Sequence, residues 1–147
     1  MIDESNDKAP KETGGVLIGY WNDRRDEAVI ENVIGPGPNA EHNICSFRPD
    51  QDFQEAEIAR HYMESESLHV YLGDWHSHPT GDLAMSSTDR KTLRRIALCR
   101  ESRIPVPIMG ILAGAEEWRL KFWSYRPTAL GKLGIRIGIE EALIRKY

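Results

Sequence analysis

The sequence predicts an α/β fold, a mixed β-sheet flanked by helices in a single domain, on three observations. Strand-like runs recur along the chain: TGGVLIGYW (13–21), EAVIENVI (27–34), LHVYLGDWHSH (68–78) and PVPIMGILAG (105–114). Between them lie stretches whose apolar residues recur at spacings of three and four, the period of a helix with one buried face. The 147 residues match the length of one ordinary domain, and 40% apolar with 29% charged residues is a globular balance rather than a disordered one.

Taken in order, residues 1–11 hold Asp3, Glu4, Asp7 and Pro10 and little that is apolar, so a mobile arm is expected there, ahead of a domain spanning 12–147. Residues 13–21 and 27–34 read as two strands joined by the charged turn NDRRD. GPGPN (35–39) is a loop, because its prolines lack N–H donors and cannot continue a ladder. Asp50 or Asp52 can cap a helix over 51–64, expected to pack on the sheet through Phe53, Ala56 and Met63. Residues 68–78 read as a central strand and 78–89 as a loop. A second helix over roughly 87–101 places Leu93, Ile96 and Ala97 on one face. Residues 105–114 are apolar without interruption, which suits a strand covered on both faces. Residues 118–125 alternate, as a half-exposed strand does, and 135–147 reads as a terminal helix with Ile135, Ile139 and Leu143 four apart.

Composition narrows the function classes. A net charge of −4 argues against a protein that coats nucleic-acid phosphates. No apolar run approaches the roughly 18 residues that span a bilayer, and the polar start MIDESNDKAPKE lacks the apolar segment of a secretion signal. A cytoplasmic, soluble protein is expected, with Cys45 and Cys99 as separate reduced thiols.

The chemistry is concentrated in His76-Ser77-His78-Pro79 and Ser86-Ser87-Thr88-Asp89. Side chains alternate faces along a strand, so His76 and His78 project to the same side. Two imidazoles so placed can meet one cation at about 2.0–2.1 Å, and the loop containing Gly81 can return Asp89 as an oxygen ligand. Three protein ligands leave one tetrahedral position for water, the pattern of a catalytic zinc site rather than a structural one. Ser86-x-x-Asp89 is also the pattern of a helix capping box.

His-x-His-x7-Ser-x2-Asp, with Glu12 upstream in Glu12-Thr13-Gly14-Gly15-Val16, resembles the JAMM signature of the JAB/MPN+ metalloprotease family. The likeness runs from about Glu12 to Gly114. The phrases GPGPN, SFRP and YLGDWHSHP resemble a bacterial branch that accompanies E1- and E2-like proteins in anti-phage CBASS and related ubiquitin-like conjugation operons. The resemblance implies the JAB/MPN (cytidine deaminase-like) sheet and one Zn2+ per chain on His76, His78 and Asp89. It makes Glu12 the general base and Ser86 a donor to the oxyanion. It implies an isopeptidase or peptidase cutting after the C-terminal tail of a ubiquitin-like or otherwise conjugated protein, such as a CD-NTase whose C-terminus is joined to a lysine. Two alternatives share the core: a RadC-like protein associated with DNA repair, and an MPN scaffold without catalysis. Family members usually carry a strand and a helix ahead of the Glu, where this sequence has eleven polar residues, so what anchors Glu12 is open at this level.

Two weaker features complete the reading. Arg90, Lys91, Arg94, Arg95, Arg100 and Arg103 make the second helix basic, as a solvated face or a patch for an acidic partner. His42, His61 and His69 show no ligand spacing and are expected to be ordinary surface histidines.

Overall fold

The computed structural model describes the chain except for residues 25, 100–103, 105, 115, 130–134, 144, 146 and 147, so Arg100 and Arg103 of the basic run lie outside the described residues. A short helix α1 (Ile2–Lys8) leads into the hairpin β1 (Gly14–Trp21) and β2 (Ala28–Ile34). A small ribbon β3 (Glu41–Asn43) and β4 (Ser46–Arg48) precedes helix α2 (Gln51–Glu64). Then come β5 (Val70–His78), helix α3 (Ser87–Leu98), β6 (Ile108–Ala113), β7 (Arg119–Ala129) and β8 (Ile135–Ala142). Among the described residues the main sheet runs β2-β1-β5-β6-β7-β8. β5 and β6 are parallel and the other neighbours antiparallel. A parallel pair cannot be closed by a hairpin, and α3 supplies the crossover between β5 and β6. The fold is therefore the mixed sheet flanked by helices that the strand and helix periods predict.

Burial is divided between the two sheet faces. Leu17, Leu72, Trp75, Ile108 and Phe122 pack together, with Met1 against them. Leu93 of α3 packs on Met109, Ile111 and Tyr125, and Ile58 of α2 on Val16, Ile18 and Ile34. All six residues of β6 are buried, as its uninterrupted apolar run requires. A bulge where β5 pairs with β1 skips Leu72 between the partners of Leu17 and Ile18, with Gly73 at φ +150°. That extra residue resets the alternation, so Leu72 and Trp75 share one face while His76 and His78 point to the other.

Four expectations change. Residues 1–11 are not an arm: α1 folds back, burying Ser5 completely, and the Trp118 indole N–H donates to Asn6 Oδ1 at 2.7 Å. Where the terminal helix was expected, Ile135–Ala142 form strand β8, paired with β7 from Phe122↔Ala142 to Ala129↔Ile135, while 144, 146 and 147 lie outside the described residues. The outer edge of β7 needs a partner for its backbone groups, and the β-branched Ile135, Ile137 and Ile139 suit a strand as well as a helix. Helix α2 lies where expected but turned: Phe53, Ala56 and Met63 are exposed, while Gln54 is buried and Ile58 packs inward. Gln54 Nε2 donates to the Gly35 carbonyl at 3.1 Å, tying the helix to the GPGPN loop by a polar contact that hydrophobic periodicity does not register. The middle of β7 is covered on both faces, Phe122 by one cluster and Tyr125 by another, rather than half exposed.

Candidate metal centre

The centre forms where β5 ends, where the crossover helix α3 begins and where β1 is about to start. The carboxyl end of a strand beside a crossover is where open α/β sheets leave a crevice. His76 Nε2 and His78 Nε2 stand 3.0 Å apart, Asp89 Oδ1 lies 3.2 Å from His76 Nε2, and Asp89 Oδ2 lies 3.7 Å from His78 Nε2. Their donor atoms all fall within 4.8 Å of one another, the one such cluster among the described residues. All three side chains are largely shielded, at 12–13% exposure.

The donor set fits a small cation. A tetrahedron with bonds of 2.0–2.1 Å has edges of roughly 3.3 Å, and the two imidazole nitrogens at 3.0 Å and Asp89 Oδ1 at 3.2 Å from His76 Nε2 lie close to that edge. Tautomers are set by the surroundings. His78 Nδ1–H donates to the Asp82 carbonyl at 3.0 Å, so a neutral His78 turns the lone pair of Nε2 to the centre. The Asp89 carboxylate is held by the helix start. Ser86 N–H donates to Oδ2 at 2.7 Å, and Asp89 N–H donates to Ser86 Oγ at 3.1 Å, a complete capping box. The two readings of Ser86-x-x-Asp89 are therefore compatible, because the cap aims the carboxylate at the histidines. Burial alone would raise the Asp89 carboxyl, but the bond and charge of His76 and the Ser86 bonds hold it well below the usual carboxylate range.

Glu12 sits on the segment entering β1, half-buried. Burial pushes its carboxyl up. The charges of His78 and His76 pull it down, and that of Asp89 raises it. The question of what anchors Glu12 has an answer in the backbone. Glu12 N–H donates to the Asn43 carbonyl at 2.8 Å, and His42 Nδ1–H donates to the Glu12 carbonyl at 3.0 Å. The next residue is tied to the histidine strand twice: Thr13 N–H donates to Ser77 Oγ at 3.0 Å and Ser77 N–H to the Thr13 carbonyl at 2.7 Å. Gly14 and Gly15 follow because there is no room for more. A Cβ on Gly15 would lie 1.9 Å from the Ile34 carbonyl oxygen, and one on Gly14 2.4 Å from that of Trp75.

Three contributors were missed as site residues. Ser77 lies between the two histidines, yet it matters through Thr13 rather than through the centre. Asp74 shares the His76 face; burial raises its carboxyl against the pull of the Tyr71 hydroxyl, which donates to it at 2.5 Å. Simple alternation back from His76 would have flagged it. His42 offered no spacing signal at all, because its partner is a carbonyl thirty residues away.

The chain is 39% identical over 138 residues, 92% of its length and 84% of the relative's, to a probable metalloprotease, y4qB, of Sinorhizobium fredii. It is 30% identical over 93 residues, 63% of its own length and 58% of the relative's, to a CD-NTase/cGAS isopeptidase of Vibrio cholerae. The whole chain superposes on 87% of the solution structure of DSY2949 from Desulfitobacterium hafniense with a TM-score of 0.65 at 20% identity, which shows a shared fold. The family model for prokaryotic homologs of the JAB domain matches residues 1–125, a span that contains α1, Glu12, both histidines and Asp89, and the chain therefore belongs to the Prok-JAB family.

Proposed function

We propose that this chain is a zinc-dependent peptidase or isopeptidase that hydrolyses the bond after the C-terminal tail of a ubiquitin-like or otherwise conjugated protein. Relatives named as a metalloprotease and as isopeptidases support the hydrolase class. The observation that carries the reading is the convergence of His76, His78 and Asp89, with the Glu12 carboxyl near enough to feel the charges of all three. An intact donor set argues against the non-catalytic scaffold. The isopeptidase names of three relatives favour a conjugated CD-NTase as substrate class over a role in DNA repair. E1- and E2-like proteins would then be the partners that make the conjugate, in the cytoplasm.

His76, His78 and Asp89 would hold the ion. When bound, zinc supplies Lewis acidity, polarising a carbonyl and making water a nucleophile near neutral pH. Glu12 takes the proton released as water adds to the carbonyl carbon. It returns that proton to the lysine or backbone nitrogen as the C–N bond breaks, leaving a carboxylate and an amine. Its partial burial makes it a stronger base than a solvated glutamate. Ser86 Oγ accepts from Asp89 N–H, which leaves the hydroxyl hydrogen free to donate to the developing oxyanion.

The test is cleavage of a CD-NTase conjugate and of a linear ubiquitin-like fusion, with and without chelator. Activity should be lost to chelator, be restored by zinc, and fall by about 10²–10⁴ in Glu12→Gln. Ser86→Ala should slow turnover by roughly 10²–10³. Cleavage indifferent to chelator would overturn the reading.

A further inference from the structure

The residue read here as the general base does not stand inside the ladder of the main sheet, which begins two residues later at Gly14. Both backbone groups of Glu12 are instead taken by consecutive residues of β3, the N–H by the Asn43 carbonyl at 2.8 Å and the carbonyl by His42 Nδ1–H at 3.0 Å. The β3–β4 ribbon is short, with three residue pairs and, among the described residues, no strand partner in the main sheet. An isolated two-stranded ribbon is marginal in water, so its grip depends on the contacts that brace it. The His42 ring is braced by Phe47 of β4, with ring centroids 5.5 Å apart, and Phe47 Cε1 closes over Gly14, 2.9 Å from where a Cβ would stand. The Glu12–Thr13 peptide is thereby clamped between the ribbon, through His42, and the histidine strand, through Ser77.

We propose that His42 is a positioning residue for the base: its Nδ1–H fixes the Glu12 carbonyl, and with it the direction in which the Glu12 carboxylate leaves the chain towards His76, His78 and Asp89. The inference rests on reading Glu12 as the base. Freeing that carbonyl releases one backbone rotation at Glu12, and a long side chain amplifies a small rotation at its root. A misplacement near 1 Å at a reacting group can cost on the order of 10² in rate.

Three variants separate the bond from the packing. His42→Ala removes ring and donor, His42→Phe keeps a ring but no donor, and His42→Asn keeps a donor at nearly the same place. Turnover of the linear fusion should fall roughly 10- to 100-fold in kcat for Ala and Phe. KM should be unchanged, as should the visible spectrum of the cobalt-loaded protein, and Asn should restore kcat to within a few-fold. Exchange of the Glu12 amide hydrogen, followed by NMR, should quicken in Ala and Phe and not in Asn. Unchanged kcat in Ala and Phe, or a loss that Asn does not rescue, would overturn the proposal. A parent protein without chelator-sensitive cleavage would sink the peptidase reading instead, and the amide exchange would still decide the clamp: faster in Phe but not Asn supports it, and no difference between them overturns it.

Discussion

The two oxygens of the Asp89 carboxylate are committed differently, Oδ2 to the Ser86 backbone N–H at 2.7 Å and Oδ1 towards His76 Nε2 at 3.2 Å. Burial opposes the charge, but these partners outweigh it and lower the carboxyl below its ordinary range. The sign of the linkage follows. A carboxyl whose folded value lies below its unfolded value of about 3.9 stabilises the fold above that pH and ceases to as pH falls below it. In metal-free protein, Asp89→Asn should therefore cost about 1–3 kcal/mol at pH 7, the scale of charge-assisted bonds. The gap between parent and variant should narrow at pH 3, as read from urea midpoints. An equal gap at both values would contradict the assignment. Asparagine keeps the oxygen that accepts from Ser86, so the difference reports the charge and not the cap. The clustered residues were legible because alternation pairs His76 with His78 and a capping pattern places Asp89 in the first turn of α3. His42 and Ser77 were not, because a side chain that serves a distant backbone group leaves no period in the sequence.

Helices α2 and α3 treat their charges in opposite ways. Arg60 in α2 is held by Glu57 at 2.7 Å and Glu64 at 2.6 Å, one turn to either side. Arg90, Lys91, Arg94 and Arg95 in α3 are exposed, and no carboxylate lies three or four residues from any of them within the helix. Asp89, its only acidic residue, is committed to the centre. Like charges one turn apart cost a few tenths of a kcal/mol per pair. Arg94→Glu would turn two repulsions, with Arg90 and Lys91, into attractions. It should stabilise the protein by roughly 0.5–1 kcal/mol at low ionic strength, fading in 1 M salt, where charges are screened beyond about 3 Å. No change in the denaturation midpoint at low salt would show that these cations are already neutralised by partners elsewhere. At this scale the sequence was legible where an apolar run is unbroken, as in β1 and β6, or where burial alternates, as at the end of β5. It misled where a non-local partner decided. Ile135 and Ile139 fit period four and, with Ile137, period two, and only the open edge of β7 selects the strand. Helix α1 hid for another reason: what ties it down is Met1 against the Trp75 cluster and bonds from Trp118 to Asn6 and from Thr13 to Glu4, which form no apolar face.

At the scale of the molecule, the centre and the core are separate. The buried clusters around Trp75, around Leu93 and around Ile18 include none of His76, His78 and Asp89. The fold should therefore survive loss of the metal, unlike a small domain that metal alone holds together. Zinc that binds only the folded chain adds RT ln(1 + [Zn]/Kd), about 2.7 kcal/mol at a hundredfold excess over Kd. For a chain of this length each kcal/mol moves the midpoint by roughly 2–4 °C, so saturation should raise Tm by about 5–11 °C. His78→Ala should abolish that rise and leave the metal-free Tm within a few degrees of the parent's, since the ring contributes little to any buried cluster. Zinc should also bind less tightly on acidification, because protons compete with the metal for the two imidazoles and the carboxylate. A chelated parent that unfolds outright would make zinc part of the fold, and an undiminished zinc shift in His78→Ala would move the ion to other ligands. The expected pattern, a metal shift that one imidazole controls over a core that does not need it, is what separates a site poised for chemistry from a structural staple.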